Sequence, residues 1–271
     1  MSNEQQKIGA ERFDRITDVA RKNHDELFPG HVSTLAVTDP ELIETFDNFA
    51  FDEVIAESKL DTKTRLTLIL AALIGSQAVN EYKVMAGAAL NVGVTPVEIK
   101  EILYQSVAYV GMARAFDFLH ATNEVLAGRG HQLPLAPQST TTAETRVSKG
   151  LAAQKAIFGG MIDEMYEKSP KDLLHIQRFL SANCFGDFYT RTGLDLKMRE
   201  LVTLSILIAM GADAQVKGHV RGNVNVGNSR DVLIDVITQL LPWVGYPRTL
   251  SALAAVNEVA PDNSKGVKDA H

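Results

Sequence analysis

A chain that repeats itself folds as copies of one unit, and an internal repeat is the strongest constraint on this sequence. Shifted by 134 residues against itself, the sequence aligns residues 61–125 with residues 195–259 without a gap. Asp61, Lys63, Arg65, Leu70, Leu73, Ile74 and Lys83 recur as Asp195, Lys197, Arg199, Leu204, Leu207, Ile208 and Lys217. Asn91-Val92-Gly93 returns as Asn225-Val226-Gly227, Gln105 as Gln239, and Val110-Gly111 as Val244-Gly245. Arg114 returns as Arg248, and Asn123-Glu124-Val125 as Asn257-Glu258-Val259. Roughly twenty positions are identical, where average composition gives about one match in sixteen by chance. The same offset extends weakly upstream, pairing Arg12 with Arg146 and Phe51 with Phe185.

Each copy reads as helices. Residues 64–76 and 198–211 place apolar residues on a broad face among good helix formers, with Gly75 and Gly211 where a helix would stop. A second helix follows at 79–91 and 213–225, closed in each copy by Asn-Val-Gly, which suits a left-handed helix end. Thr95-Pro96-Val97-Glu98 has the form of a helix start, with a capping Thr, Pro at the first helical position and Glu at the third. Ser229 takes the cap position in the second copy. No stretch alternates with period two between turn residues, so the expected fold is all-α. Residues 128–143, with Gly-Arg-Gly, two prolines and Ser-Thr-Thr-Thr, have linker composition. The expected division is therefore a first module at 1–127, a linker at 128–143, a second module at 144–260 and a solvated tail at 261–271.

Composition narrows the function classes. A net charge of −6 gives no basic face for nucleic acid. No apolar run reaches the length of a membrane span, and the polar start lacks a secretory core. One cysteine, Cys184, cannot form an intrachain disulfide, which favours a reducing compartment and a cytoplasmic location. Its neighbourhood reads as a packed helix and makes it a structural thiol. His24, His31, His120, His131, His175 and His271 lack metal-ligand spacing, so no metal site is expected.

The copies differ where chemistry could sit. Leu66 and Met85 of the first become Glu200 and His219 in the second. Helices joined by a tight turn run antiparallel, and these two residues lie nearly equidistant from Gly211, so they can face one another. A carboxylate on an imidazole fixes its tautomer, which suits proton transfer near neutral pH. A core His satisfied by a core Glu, or a pair that never meets, is the alternative reading of the same spacing.

Arg199-Glu200-Leu201-Val202-Thr203-Leu204, with Gly211, His219 and Asn225-Val226-Gly227, resembles the carboxymuconolactone decarboxylase family of the alkylhydroperoxidase-D-like superfamily. Residues 63–93 and the Thr95-Pro96-Val97-Glu98-Ile99-Lys100-Glu101-Ile102 start resemble the same module. The resemblance implies two tandem alkylhydroperoxidase-D-like helical modules. The superfamily's thiol peroxidases carry Cys-x-x-Cys between the Glu and the His. Those positions are Ala212 and Gln215 here, and Ala78 and Glu81 in the first copy, so that chemistry lacks its nucleophile. The decarboxylase branch needs no cysteine. It implies loss of carbon dioxide from a small carboxylated lactone without metal or organic cofactor, with His219 as proton donor and Glu200 orienting it. A small carboxylate substrate needs cations, and Arg221, Lys217 and Arg248 are the candidates, with Trp243 and Tyr246 as apolar walls. Lys217 and Arg248 recur as Lys83 and Arg114 in the copy without a site, which argues for structural roles, whereas Arg221 stands opposite Gly87. The resemblance further implies a homo-oligomer, a trimer of fused pairs, with the first copy as scaffold. An isomerase or lactone hydrolase using the same pair, and a non-catalytic binding protein with a relic site, stay open at this point.

Overall fold

The computed structural model describes residues 15–31 and 33–262. Arg12 and the tail beyond residue 262 lie outside them. Among the described residues the regular elements are all helical. The first copy opens with α1 (Asp18–Leu27) and α2 (Leu35–Thr38). Then α3 (Pro40–Asn48) runs through a π-helical stretch, Phe49–Glu53, into α4 (Val54–Ala56). Four longer helices follow: α5 (Thr62–Gly75), α6 (Val79–Asn91), α7 (Pro96–Val110) and α8 (Met112–Gly128). The second copy repeats the plan, with α9 (Arg146–Phe158), α10 (Met161–Lys168) and α11 (Leu174–Phe179). A π-helical stretch, Leu180–Tyr189, then leads to α12 (Leu196–Met210), α13 (Asp213–Asn225), α14 (Arg230–Val244) and α15 (Tyr246–Val259).

The repeated residues do repeated work. Asp61 and Asp195 cap α5 and α12 through the amides of Thr64 and Met198. The expected capping box forms, with Thr95 and Glu98 satisfying each other's backbone, and Ser229 caps α14. Gly93 and Gly227 take positive φ, 88° and 91°, at the two Asn-Val-Gly ends. Asn91 and Asn225 each donate a 2.8 Å bond to a carbonyl of their own copy's first helix, Leu27 and Ile157. Phe28 meets Phe51 edge-on as Phe158 meets Phe185, so Phe28 and Phe158 hold matching places.

The helix α5 ends at Gly75, as expected, but Gly75 is not the left-handed residue of that end. The left-handed residue after α5 is Gln77, at φ 60°, matching Gly211 at φ 71° after α12. Gly75 serves instead where α5 and α12 cross at the centre of the molecule. A Cβ there would lie 2.6 Å from the Ile206 carbonyl and 2.8 Å from the Ala209 Cβ, and Ala209 is its own counterpart in the repeat. The modules therefore meet along their first long helices, around a continuous apolar core drawn from both copies. Each module also lends its third long helix to its sister: α7 packs on the π-helical stretch and α12 of the second copy, and α14 on α4 and α5 of the first. The linker folds back, with Gln138 accepting from the Thr192 amide at 3.0 Å and Thr140 donating to the Thr190 carbonyl at 2.8 Å.

No described helix is long and apolar enough to cross a membrane. Gly75→Ala should lower stability by about 1–3 kcal/mol, the usual cost of forcing extra volume into a packed crossing. Urea unfolding of the variant beside the parent measures this, and an unchanged midpoint would contradict the crossing.

Candidate functional site

Glu200 lies in the first half of α12 and is wholly buried. A buried carboxylate is costly unless its oxygens are satisfied, and here both are. Oε2 lies 2.9 Å from His219 Nδ1, and Oε1 accepts a 2.8 Å bond from the Tyr189 hydroxyl. Room for the carboxylate comes from Gly222 on α13, where a Cβ would sit 2.6 Å from Oε2. Asn223 locks the two helices together, its Nδ2 donating to the Glu200 and His219 carbonyls at 3.1 and 2.8 Å. Asn228 holds Asn223 from behind at 2.8 Å.

The proton positions follow from valence. The one hydroxyl hydrogen of Tyr189 goes to Glu200, so its oxygen can only accept from Thr203 Oγ1 at 2.5 Å and from the Tyr109 hydroxyl at 2.9 Å. Thr203 in turn accepts from Gln105 Nε2 at 2.8 Å, and the Cys184 thiol points at the Tyr109 hydroxyl from 3.8 Å. Every donor in this chain is aimed toward Glu200. Burial, reinforced by the charge of Glu200 close by, pushes the hydroxyls of Tyr189 and Tyr109 well above the ordinary tyrosine range, so both stay protonated donors. Burial likewise pushes the Cys184 thiol up to about 12.

A carboxylate only accepts, so His219 Nδ1 carries the hydrogen of the shared bond and Nε2 is left for other work. The ring is held edge-on between Phe158 at 5.5 Å and Tyr109 at 6.0 Å, and its side chain is 12% exposed. Tyr109 and Gln105 come from α7, so the first copy supplies part of this site and is more than scaffold.

The other sequence-derived candidates stand elsewhere. Lys217 and Arg221 lie two positions either side of His219, and residues so spaced on a helix do not share a face. Both are exposed, and Lys217 pairs with Glu258 at 2.6 Å as Lys83 pairs with Glu124. Arg248 sits beside Gly211 at the C-terminus of α12, a favourable place for a cation against the helix dipole. Trp243 packs edge-on against Phe46 of the first copy, at 5.4 Å, on the side opposite to the one expected. Tyr246 is 61% exposed at the head of α15. Glu81 is exposed at the start of α6.

Motif and spacing alone do not single out Tyr189, Thr203, Tyr109, Asn223, Asn228 or Gly222. The signal that picked out Glu200 and His219 was present at most of them: Tyr189, Thr203, Asn223 and Asn228 stand opposite Ile55, Ile69, Ala89 and Val94. Gly222 stands opposite Ala88. Around the Glu200–His219 pair, apolar side chains thus replace most of the polar network in the other copy, while Gln105 keeps a polar counterpart in Gln239.

Comparison with known proteins agrees with this architecture. The model of the carboxymuconolactone decarboxylase family matches twice, at residues 40–124 and 175–258. The 4-carboxymuconolactone decarboxylase of Acinetobacter baylyi is 28% identical over 120 residues, which are 90% of that protein but 44% of this chain. The nitrosuccinic acid decarboxylase of Metarhizium robertsii is 26% identical over 86 residues, 32% of this chain and 60% of that protein. A solved structure from Burkholderia xenovorans LB400, bearing the name of a gamma-carboxymuconolactone decarboxylase subunit, superposes with a TM-score of 0.51 at 22% identity. That match covers 88% of this chain and 96% of the other, and shows the shared fold. With the family model matched once in each copy, the chain belongs to the carboxymuconolactone decarboxylase family as a fused pair of modules.

Proposed function

We propose that the chain is a cofactor-independent decarboxylase of a small carboxylated lactone, of which γ-carboxymuconolactone is the first to try. The supporting observation is the Glu200–His219 pair, buried on the carboxylate side and edged with solvent on the imidazole side. Relatives named as decarboxylases support a reaction of this class.

In this reading the bond between the ring carbon and the carboxylate breaks, and carbon dioxide leaves. The electron pair stays behind, delocalised into the conjugated carbonyl. Doubly protonated His219 keeps its Nδ1 hydrogen on Glu200 and delivers the Nε2 proton to carbon, and water restores it. Glu200 orients the ring and balances its charge. Tyr189 is a positioning residue, holding the far oxygen of Glu200 so that the other faces His219. Phe158 and Tyr109 fix the ring plane. The loss of the Tyr189, Glu200, Thr203 and His219 polar groups in the sister copy supports a working site over a relic, since the fold accommodates Ile55, Leu66, Ile69 and Met85 at those positions.

Carbon dioxide release from γ-carboxymuconolactone by the parent should fall about 10²–10⁴-fold in His219→Ala, the range for losing a general acid. Conversion without gas release would replace this reading with an isomerase or hydrolase, and no conversion would reject the substrate class. Tyr189→Phe leaves a buried carboxylate oxygen short of a donor. It should cost about 1–3 kcal/mol of stability and lower kcat while the protein stays folded; an unchanged kcat would remove Tyr189 from the site. Cys184, with its thiol near 12, holds almost no thiolate at pH 8. Iodoacetamide should therefore label it only after unfolding, and rapid labelling of the folded protein would reopen thiol chemistry.

A further inference from the structure

A cavity of about 550 Å³ lies on the far side of α7 from His219, between that helix, Arg191 and the returning linker. It is of the size that takes a small ligand. Its charges do not balance. Glu101, 1% exposed, is the wall's one carboxylate, and it is already shared by Arg191 at 2.9 Å and Arg199 at 3.0 Å. Lys100 is 8% exposed, donates to the neutral Asn123 amide, and has no carboxylate within ion-pair distance among the described residues. Its ammonium is correspondingly easier to deprotonate than an exposed one, through burial. A buried cation without a carboxylate on it costs stability, and an arriving anion removes that cost.

The remaining walls say what the anion carries. Tyr104 lies under both cations, 5.1 Å from the Arg191 guanidinium and 5.8 Å from the Lys100 ammonium. Leu133, Pro134 and Pro137 of the linker close the opposite side with apolar surface. Hydrogen bonds from Thr192 and Thr140 pin that linker in place. We infer that this cavity is a second binding site, for a small organic carboxylate with a flat apolar body, its charge on Lys100 and Arg191 and its body between Tyr104 and the linker. None of its residues belongs to the Glu200–His219 pair, so the site stands independently of the proposed reaction.

Calorimetric titration with benzoate tests it, with inorganic phosphate as a second probe. The parent should bind benzoate saturably, in the millimolar range or tighter, and more tightly than phosphate. Lys100→Met should weaken benzoate at least about tenfold while the Tm of the unliganded protein holds or rises. Leu133→Glu, on the exposed linker, should weaken it as well without touching Lys100. His219→Ala should bind as the parent does. No saturable binding by the parent would overturn the inference, as would equal binding by Lys100→Met or a fall in its Tm. Loss of binding in His219→Ala would assign the benzoate to the other site, and phosphate binding as tight as benzoate would refute the apolar half of the recognition.

Discussion

The buried carboxylate of Glu200 is the constraint around which the second copy is arranged. A charge of this size, wholly withdrawn from water, is tolerated only with its oxygens paired and a void kept for it. His219 and Tyr189 supply the pairing, Gly222 keeps the void, and Asn223 fixes the spacing of the two helices that carry the acid and the imidazole. Remove the carboxylate and the pairing from His219 and Tyr189 loses its purpose, though Gly222 still makes way for Ile157 and Phe158. The first copy shows that outcome, with Leu66, Met85, Ile55, Ile69 and Ala88 at the corresponding places and no loss of the helical frame.

Fusion explains how two copies of one module came to differ. The central crossing of α5 and α12 and the exchange of α7 and α14 make each site a joint product of both copies. Within one chain the two sites are free to diverge, because a change in one copy is not repeated in the other. Tyr109, from the first copy, bonds to Tyr189 beside Glu200, whereas its counterpart Trp243 fills apolar space against Phe46. Around Glu200 the contacts are directed hydrogen bonds, and around Trp243 they include packed aromatic rings.

Much of this was legible in the sequence because the repeat supplied its own comparison. The helices, their caps and the facing of Glu200 and His219 follow from periodicity, cap residues and spacing along an antiparallel pair. What was not legible depends on how the copies cross. Nothing local in Tyr109 says that it reaches His219 of the other module, or in Trp243 that it packs against Phe46 of the first. Lys217 and Arg221 flank His219 in sequence but not in space, since a helical turn of about 100° per residue points residues two apart to different faces. Gly75 ends α5 as its place in the sequence suggests, but its close approach to α12 is invisible there, since a glycine demanded by close approach and one demanded by positive φ look alike.

The central claim is that the polar network serves chemistry and not the fold. It is tested most directly by converting the polar side chains of the second site to those of the first: Tyr189→Ile, Glu200→Leu, Thr203→Ile and His219→Met in one protein. Thermal unfolding and carbon dioxide release would be measured together on this variant and the parent. The account predicts a folded variant whose Tm equals or exceeds that of the parent and whose activity is gone. A variant that unfolds, or one that still releases carbon dioxide, would contradict it.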